Sequence, residues 1–145
     1  MRLTTFTDYA LRVLIYLAVS DDRQPTIREI AQRYDISRNH LMKVVQELSQ
    51  KGYLIASRGK RGGLRLGIPP AEIKIGTLVR DMESDFALAE CLGDKGDCLL
   101  NPGCKLRSAF TEAMDAFFSV LDAYTLQDIV SGRKRAKLLK ILSLE

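Results

Sequence analysis

Histidine, cysteine and long hydrophobic runs are scarce in this chain, and each scarcity excludes a class of protein. The 145 residues include one histidine and three cysteines. Because no histidine accompanies a nucleophile, and because the sequence has neither a phosphate-binding loop nor a carboxylate pair with an evident cleft, we expect no enzyme. The apolar run from Val13 to Val19 is too short to cross a bilayer, and no small-residue cleavage site follows it. We therefore expect a cytoplasmic protein with no membrane contact.

The cysteines lie in one short stretch, CLGDKGDCLLNPGC, as Cys91, Cys98 and Cys104. An odd number of thiols cannot all pair within one chain, and structural disulfides are rare in a reducing cytosol. Their spacing differs from the C-x2-C of zinc ribbons and common ferredoxins, so the motif alone leaves a metal site and no function equally open. The loop glycines would accommodate a bulky centre, and the acidic neighbours Glu90, Asp94 and Asp97 disfavour a reactive low-pKa thiol. The surroundings therefore favour a metal site that lacks a fourth ligand.

Apolar residues at helical spacing predict three helices in the N-terminal third of the chain. The first covers residues 6–20, and the second begins after Thr26, which we expect to form a capping box with Glu29. A third helix is predicted from the cap Ser37 through Lys51, before Gly52. Its buried stripe consists of Leu41, Val44, Val45 and Leu48. Two short helices joined by a tight turn are typical of a helix-turn-helix.

A small β wing and further helices are predicted after the helix-turn-helix. The stretch YLIASRGKRGGLRL indicates two short strands around a glycine-rich loop, and IKIGTLVRDME indicates a fourth helix. Beyond Cys104, a helix of about 20 residues has an apolar stripe that needs a partner surface, for which a second copy of the chain is nearest. That stripe consists of Leu106, Phe110, Ala113, Phe117, Val120, Leu121 and Tyr124. Thr125 is expected to cap one more turn before a basic tail.

The predicted fold class is therefore mainly α with a small β wing. We expect a winged helix-turn-helix DNA-binding domain in residues 1–83 and a cluster-binding loop in residues 84–104. A long dimerisation helix and a C-terminal tail would occupy residues 105–145.

The predicted third helix carries a polar face opposite its apolar stripe. Asn39, Lys43 and Gln46 lie on this face, and Arg38 and His40 lie near the N-terminal end of the helix. Amides pair with adenine, and arginine or lysine reaches guanine or a phosphate, so this chemistry suits a recognition helix in the major groove. The alternative for an isolated helix is an ordinary solvated face.

Positive charge is concentrated on this helix and on the wing. From residue 37 to residue 65 the chain has seven basic residues against one acidic residue, a balance of +6, whereas the whole chain has a net charge of +4. A glycine-rich basic loop approaches the DNA backbone closely and can place an arginine in the minor groove. We therefore predict a double-stranded DNA partner rather than a solvated or RNA-facing surface. The predicted contacts are Arg38, Asn39, His40, Lys43, Gln46, Arg58, Lys60 and Arg61.

Four segments together resemble one family of proteins. They are TDYALRVLIYLA at residues 7–18, SRNHLMKVVQELSQKGY at 37–53, RGKRGGLRLG at 58–67 and the three-cysteine loop. These segments are similar to the winged-helix iron-sulfur transcription regulators, and most of all to the nitric-oxide-sensitive repressors in that family. The resemblance implies a homodimer on an inverted-repeat operator, crossed long helices at the interface, and repression of genes that handle nitric oxide and nitrite. It also implies an iron-sulfur cluster held by Cys91, Cys98 and Cys104, of the 4Fe-4S type rather than 2Fe-2S.

The fourth ligand differs from that of a sister branch of the family. The branch that controls iron-sulfur assembly has a histidine three residues beyond its last cysteine, where this chain has Arg107. The single histidine, His40, lies on the predicted recognition helix. The resemblance points instead to Asp8 from the other subunit, which Arg12 one turn later would hold by an i, i+4 pair. Alternatively, Asp8 has only a structural role in the first turn of the helix. The fourth ligand would then be Glu90, Asp94, Asp97, water or a small thiol.

A carboxylate ligand would make one corner of the cluster reactive. Carboxylates bind cluster iron less well than thiolates, so nitric oxide is expected to react there and to move the first helix of the partner. The separation of the two recognition helices would then change, and the operator would be released on nitrosylation. The rival class is a zinc-binding or thiol-redox winged-helix regulator with no iron-sulfur cluster.

Overall fold

The helices and strands expected from the sequence are present in the computed structural model, which describes residues 2–93 and 98–144. In chain order the elements are α1 (Thr5–Val19), α2 (Ile27–Tyr34), α3 (Arg38–Gln50), β1 (Leu54–Ser57), β2 (Gly63–Leu66), α4 (Ile75–Met82), α5 (Lys105–Asp122), α6 (Leu126–Val130) and α7 (Arg133–Ile141). Short 3-10 turns occur at Pro70–Glu72, Glu90–Leu92 and Asn101–Gly103. The prediction of a mainly α protein with a small β wing is confirmed.

The start of α2 differs from the predicted capping box. The Thr26 side chain accepts a hydrogen bond from the backbone N–H of Glu29 at 3.2 Å, as expected for an N-cap. The Glu29 carboxylate does not return the bond, because it accepts from the Tyr16 hydroxyl at 2.9 Å and from Arg23 at 2.7 Å. Only half of the capping box forms, and the other half is replaced by a link to α1.

Helix α3 forms as its sequence pattern predicts. Ser37 caps its first turn by accepting from the backbone N–H of His40, and Gly52 ends the helix with a left-handed φ of +81°. The four predicted stripe residues are all buried: Leu41, Val44, Val45 and Leu48. These contacts fix α3 against α1 and α2 and leave its opposite face to solvent.

The wing is a two-stranded antiparallel sheet in which Leu54 pairs with Leu66 and Ser57 with Gly63. Its base is tied to the loop before α2, because Leu64 donates its backbone N–H to the Pro25 carbonyl at 2.8 Å. A Cβ on Gly63 would lie 2.1 Å from the carbonyl oxygen of Gln24, so only glycine fits there. The wing is therefore held in one place relative to α2 and α3.

The C-terminal segment also packs on the winged-helix core. Leu126 and Val130 of α6 and Leu142 after α7 are buried with the α1 side chains. The predicted cap of α6 is confirmed, and Thr125 and Asp128 form a complete capping box there. The basic tail, for which the sequence suggested no helix, forms α7. It is anchored by Arg135, which donates to the carbonyl oxygens of Ala18 and Val19 and pairs with Asp21.

Helix α5 is two residues shorter than the predicted 20 and contains no buried residue. Arg80 of α4 forms a bidentate ion pair with Asp122 at 2.9 and 2.7 Å, and its guanidinium carbon lies 4.1 Å from the Phe118 ring centroid. Leu106 and Val120 are 57% and 60% exposed. The helix is thus attached through its C-terminal half and presents apolar side chains to solvent.

Candidate DNA-binding surface and cysteine loop

The exposed face of α3 and the neighbouring wing strand border one open groove of about 680 Å³. Three of the residues predicted to contact DNA line it, namely Asn39, Lys43 and Gln46. Met42 of α3, Ile27 of α2 and Ala56 of β1 also line the groove. The lining of the groove is therefore partly apolar and partly polar or basic.

The wing carries three more of the predicted contacts. Arg58, Lys60 and Arg61 are all exposed in the loop between β1 and β2. Gly59 turns this loop with a φ of +102°, a conformation that a side chain would strain. The loop thus presents three exposed cations on the hairpin whose first strand lines the groove of α3. Their contact with DNA remains a prediction.

His40 lies to one side of the groove. Its ring centroid is 5.0 Å from that of Tyr9 and 6.5 Å from that of Phe6, so the imidazole packs against the first turns of α1. The predicted contact of His40 with DNA stays a prediction, but the ring already joins the start of α3 to α1. Arg38 is exposed at the first position of α3, near the same end.

The predicted pair of Asp8 and Arg12 is present on α1. Arg12 Nη2 lies 2.8 Å from Asp8 Oδ2, and the two side chains are 43% and 46% exposed. The guanidinium of Arg12 is also 5.8 Å from the ring centroids of Tyr9 and Tyr34. Arg12 is therefore restrained on three sides, and it holds the Asp8 carboxylate at the edge of an open cavity of about 430 Å³.

The cysteine loop presents three free thiols. Cys91 is half-buried in the turn Glu90–Leu92, Cys98 is exposed, and Cys104 is half-buried at the N-cap position of α5. The first amides of α5 have no side-chain cap, so this end of the helix is open to an anionic group. Two of the alternative ligands, Asp94 and Asp97, lie outside the described residues.

Arg107 occupies the position at which the sister branch has its histidine. Its Nη1 atom donates a 3.0 Å hydrogen bond to the side-chain oxygen of Asn101, in the last turn of the cysteine loop. A guanidinium has no lone pair to offer a metal. Arg107 therefore closes the loop onto α5 and is not a fourth ligand.

The donor set fits an iron-sulfur cluster in kind. Three thiols without disulfide partners and a half-exposed carboxylate are all available as anionic ligands. Among residues 2–93 and 98–144, no three His, Cys, Asp or Glu side chains converge closely enough to hold a metal ion. One copy of the chain thus supplies the ligand types without assembling the site within its described part.

Two features of this region were not predicted from the sequence. Met42 is 46% exposed in the α3 groove, although it is apolar. The sequence did contain a signal for the exposure of Met42, because this residue lies outside the buried stripe, three residues after Asn39 and four before Gln46. Glu83 joins the end of α4 to the start of α1 through Thr4 and Thr7. No local motif marks that contact, because its partners are distant in sequence.

The winged helix, the groove and the cysteine loop all fall within the part of the chain that matches a known family. The family Rrf2, described as iron-dependent transcriptional regulator, matches residues 3–132. The chain belongs to the Rrf2 family. The resemblance drawn from the four sequence segments is thereby confirmed.

Relatives of this Rrf2 protein include HTH-type transcriptional regulators named NsrR. The protein from Bacillus licheniformis is 47% identical over 145 residues, which cover 99% of this chain and 100% of the relative. The protein from Bacillus subtilis is 46% identical over 144 residues, which cover 97% of this chain and 99% of the relative. The family and these relatives are transcription regulators, so the expectation that the Rrf2 chain is not an enzyme is confirmed.

Solved structures share the fold of this Rrf2 protein. IscR from T. potens has a TM-score of 0.75 at 22% identity, with 94% of this chain and 91% of that chain covered. CymR, the global cysteine regulator of B. subtilis, has a TM-score of 0.70 at 28% identity, with 89% and 95% covered. The predicted winged helix-turn-helix architecture is confirmed. In the described part of the chain, no helix combines the length and the apolar character needed to cross a membrane.

Proposed function

We propose that this Rrf2 protein is a dimeric, cytoplasmic DNA-binding repressor that senses nitric oxide through an iron-sulfur cluster and releases its operator when the cluster is nitrosylated. The observation that carries the proposal is the placement of Asp8. Its carboxylate is half exposed, is restrained by Arg12, and lies on the helix that packs against α3. The names of the relatives agree with the resemblance to nitric-oxide-sensitive repressors.

The proposed dimer uses the exposed stripe of α5. Its apolar residues alternate at spacings of four and three, as in the seam between two packed helices. They are Leu106, Phe110, Ala113, Phe117 and Val120, and Tyr124 continues the spacing just after the helix ends. Because the stripe is self-complementary in chemistry, a second copy of α5 is its partner. The pair would present two copies of α3 to the two halves of an inverted repeat.

The proposed cluster ligands are Cys91, Cys98 and Cys104 of one subunit and Asp8 of the partner subunit. Both cluster types take four ligands from the protein, so the preference for a 4Fe-4S over a 2Fe-2S cluster rests on the resemblance to the family. When bound, the cluster supplies iron that reacts with nitric oxide, and a carboxylate ligand is displaced more readily than a thiolate. Arg12 holds the carboxylate in position through their ion pair.

The proposed signal passes from α1 to α3. Asp8 is followed by Tyr9, whose ring packs on His40 at the start of the recognition helix. A displacement of the first turn of α1 would therefore shift the N-terminal end of α3, where Arg38 and Asn39 lie. Dimeric readers need their two recognition helices at a fixed separation, so this shift would lower operator affinity. His40 is thus proposed to position α3 as well as to lie near DNA.

The decisive experiment follows the visible spectrum and DNA binding together. Full-length protein isolated without oxygen should be brown, and nitric oxide should change its visible absorption. In the same titration, the affinity of the protein for its selected DNA duplex should fall in parallel. The duplex would be selected by the wild-type protein from a random-sequence pool.

Two variants test the role of the carboxylate. In Asp8→Ala, affinity should no longer follow the spectral change, because the link between subunits is absent. The matched control is Asp22→Ala, which removes an exposed carboxylate beyond the other end of α1 and should behave like the wild type. Operator affinity that stays unchanged by nitric oxide in both wild type and Asp8→Ala would contradict the proposal.

A zinc-binding or thiol-redox regulator without a cluster is the second candidate. The free state of all three cysteines favours it as well, and the fold is shared with the cysteine regulator CymR. Protein that is colourless after strictly anaerobic isolation, with stoichiometric zinc, would support this candidate. The DNA-binding part of the proposal would then remain.

A further inference from the structure

Met42 is an apolar residue that α3 does not use for packing. The other large apolar side chains of this helix are buried, whereas Met42 is 46% exposed and lines the open groove. Exposed methionines are flexible and polarisable, and they adapt to the surface that they contact. The side chain is therefore available to a molecule that enters the groove.

The surroundings of Met42 select the kind of molecule. Asn39 lies one turn before it and Gln46 one turn after it on the same face, and both line the same groove. Lys43 follows Met42 directly, and the loop that follows the lining strand β1 carries three more cations. Amides flanked by positive charge favour a nucleic acid over the apolar surface of a protein partner. The face of α3 that carries Met42 therefore suits insertion into the major groove of DNA.

In the major groove of DNA, one base carries an apolar group on its edge. Thymine presents its C5-methyl there, whereas the other edges present hydrogen-bond donors and acceptors. We propose that Met42 contacts a thymine methyl group and thereby sets a preference for thymine at one position in each half-site. This inference rests on the DNA-binding part of the proposed function and is independent of the cluster.

Deoxyuridine provides the direct test, because it keeps the base pair and the O4 acceptor of thymine and lacks only the methyl group. The probes are the duplex enriched from a random pool by the full-length wild-type protein and copies with one thymine per half-site replaced by deoxyuridine. Burial of one methyl group predicts a loss of about fourfold in affinity per half-site and about fifteenfold for both. The loss should occur at one position of the half-site.

Three variants locate the effect. Met42→Ala should bind the thymine and deoxyuridine duplexes equally at that position, and Met42→Leu should retain part of the preference. The matched control is Ile55→Ala, which truncates an exposed apolar residue on β1 that does not line the groove and should keep the full preference. Because Met42 and Ile55 are exposed, neither truncation should impair folding, which circular dichroism checks.

The outcomes separate this inference from the proposed function. If Met42→Ala binds the deoxyuridine duplex more weakly than the thymine duplex by the same factor as the wild type, the thymine contact is wrong although DNA binding stands. This holds whether or not the variant also weakens binding to both duplexes by a common factor. If the wild-type protein enriches no sequence at all, the DNA-binding function itself fails.

Discussion

The Thr7 hydroxyl donates a 2.7 Å hydrogen bond to Oε2 of Glu83, which joins the first turn of α1 to the end of α4. The same oxygen accepts from the backbone N–H and the hydroxyl of Thr4 at 3.0 and 3.1 Å. Thr7 is completely buried, and Asp8 follows it directly. The carboxylate of Glu83 therefore holds the end of α1 that carries the proposed cluster ligand. Glu83 itself is the last residue before the cysteine loop.

Replacing Glu83 should destabilise the protein. In Glu83→Ala, the Thr7 hydroxyl loses its charged acceptor, and we expect the free energy of unfolding to fall by about 1–3 kcal/mol. The control Glu72→Ala removes an exposed carboxylate and should change it by less than about 0.5 kcal/mol. Urea unfolding of the two variants would measure the difference, and equal effects would contradict the role of Glu83.

A charge on the α5 stripe should separate the subunits. Val120→Glu places a carboxylate in the proposed interface, and we expect the dimer dissociation constant to rise about a hundredfold, roughly 2.7 kcal/mol. Ser119→Glu adds the same side chain at the preceding position, which is exposed and lies off the stripe. Sedimentation equilibrium of both variants would show whether the stripe is the interface. A Val120→Glu protein that stays dimeric would place the interface elsewhere.

The groove and the wing should contribute differently to DNA binding. Lys60→Ala in the wing removes one proposed phosphate contact, so the slope of log K against log salt should decrease by about 0.9 with equal weakening on all sequences. Gln46→Ala should leave that slope unchanged and reduce discrimination by about 1–3 kcal/mol. Titrations at several salt concentrations on enriched and scrambled duplexes would separate the two effects. A sequence-dependent loss for Lys60→Ala would argue against a phosphate role.

The link between α4 and α5 should weaken in acid. Hydrogen bonds from Arg80 hold the pKa of Asp122 below its ordinary value of 3.8. Because the folded-state pKa is the lower one, the ionised carboxylate contributes fully above about pH 4 and its contribution is lost as pH falls through the lowered folded value. The melting temperature of metal-free Asp122→Asn should therefore lie below that of the wild type near neutrality and converge with it in acid. The control Asp115→Asn changes an exposed residue on the same helix, and its melting temperature should equal that of the wild type both near neutrality and in acid.

Local patterns predicted the elements whose causes are local. The cap at Ser37, the apolar stripe of α3 and the glycine after it lie within one short segment, and the helix has the predicted buried residues. The predicted capping box at Thr26 failed on one side, because the partners of Glu29 are Tyr16 and Arg23. A competing tertiary contact of this kind cannot be seen in a four-residue motif.

The candidate site was predictable to the same extent. The pair of Asp8 and Arg12 follows from their spacing of four on one helix, and the structure contains it. The exposure of Met42 depends on how α3 lies against its neighbours, which helical spacing suggests but does not fix. The fourth cluster ligand would come from another copy of the chain, so no pattern within one sequence determines it.

Among the described residues, the buried core contains none from residue 83 to residue 125. The cysteine loop and α5 thus contribute only partly buried side chains, such as Phe86, Phe118 and Leu121, which pack on the outside of the core. Substitutions in the loop can accumulate with little effect on folding, so a lineage could gain, lose or replace a sensing group while its DNA reader continues to fold. Because the loop lies outside the buried core, the signal to which such a regulator responds could change during evolution while the fold is kept.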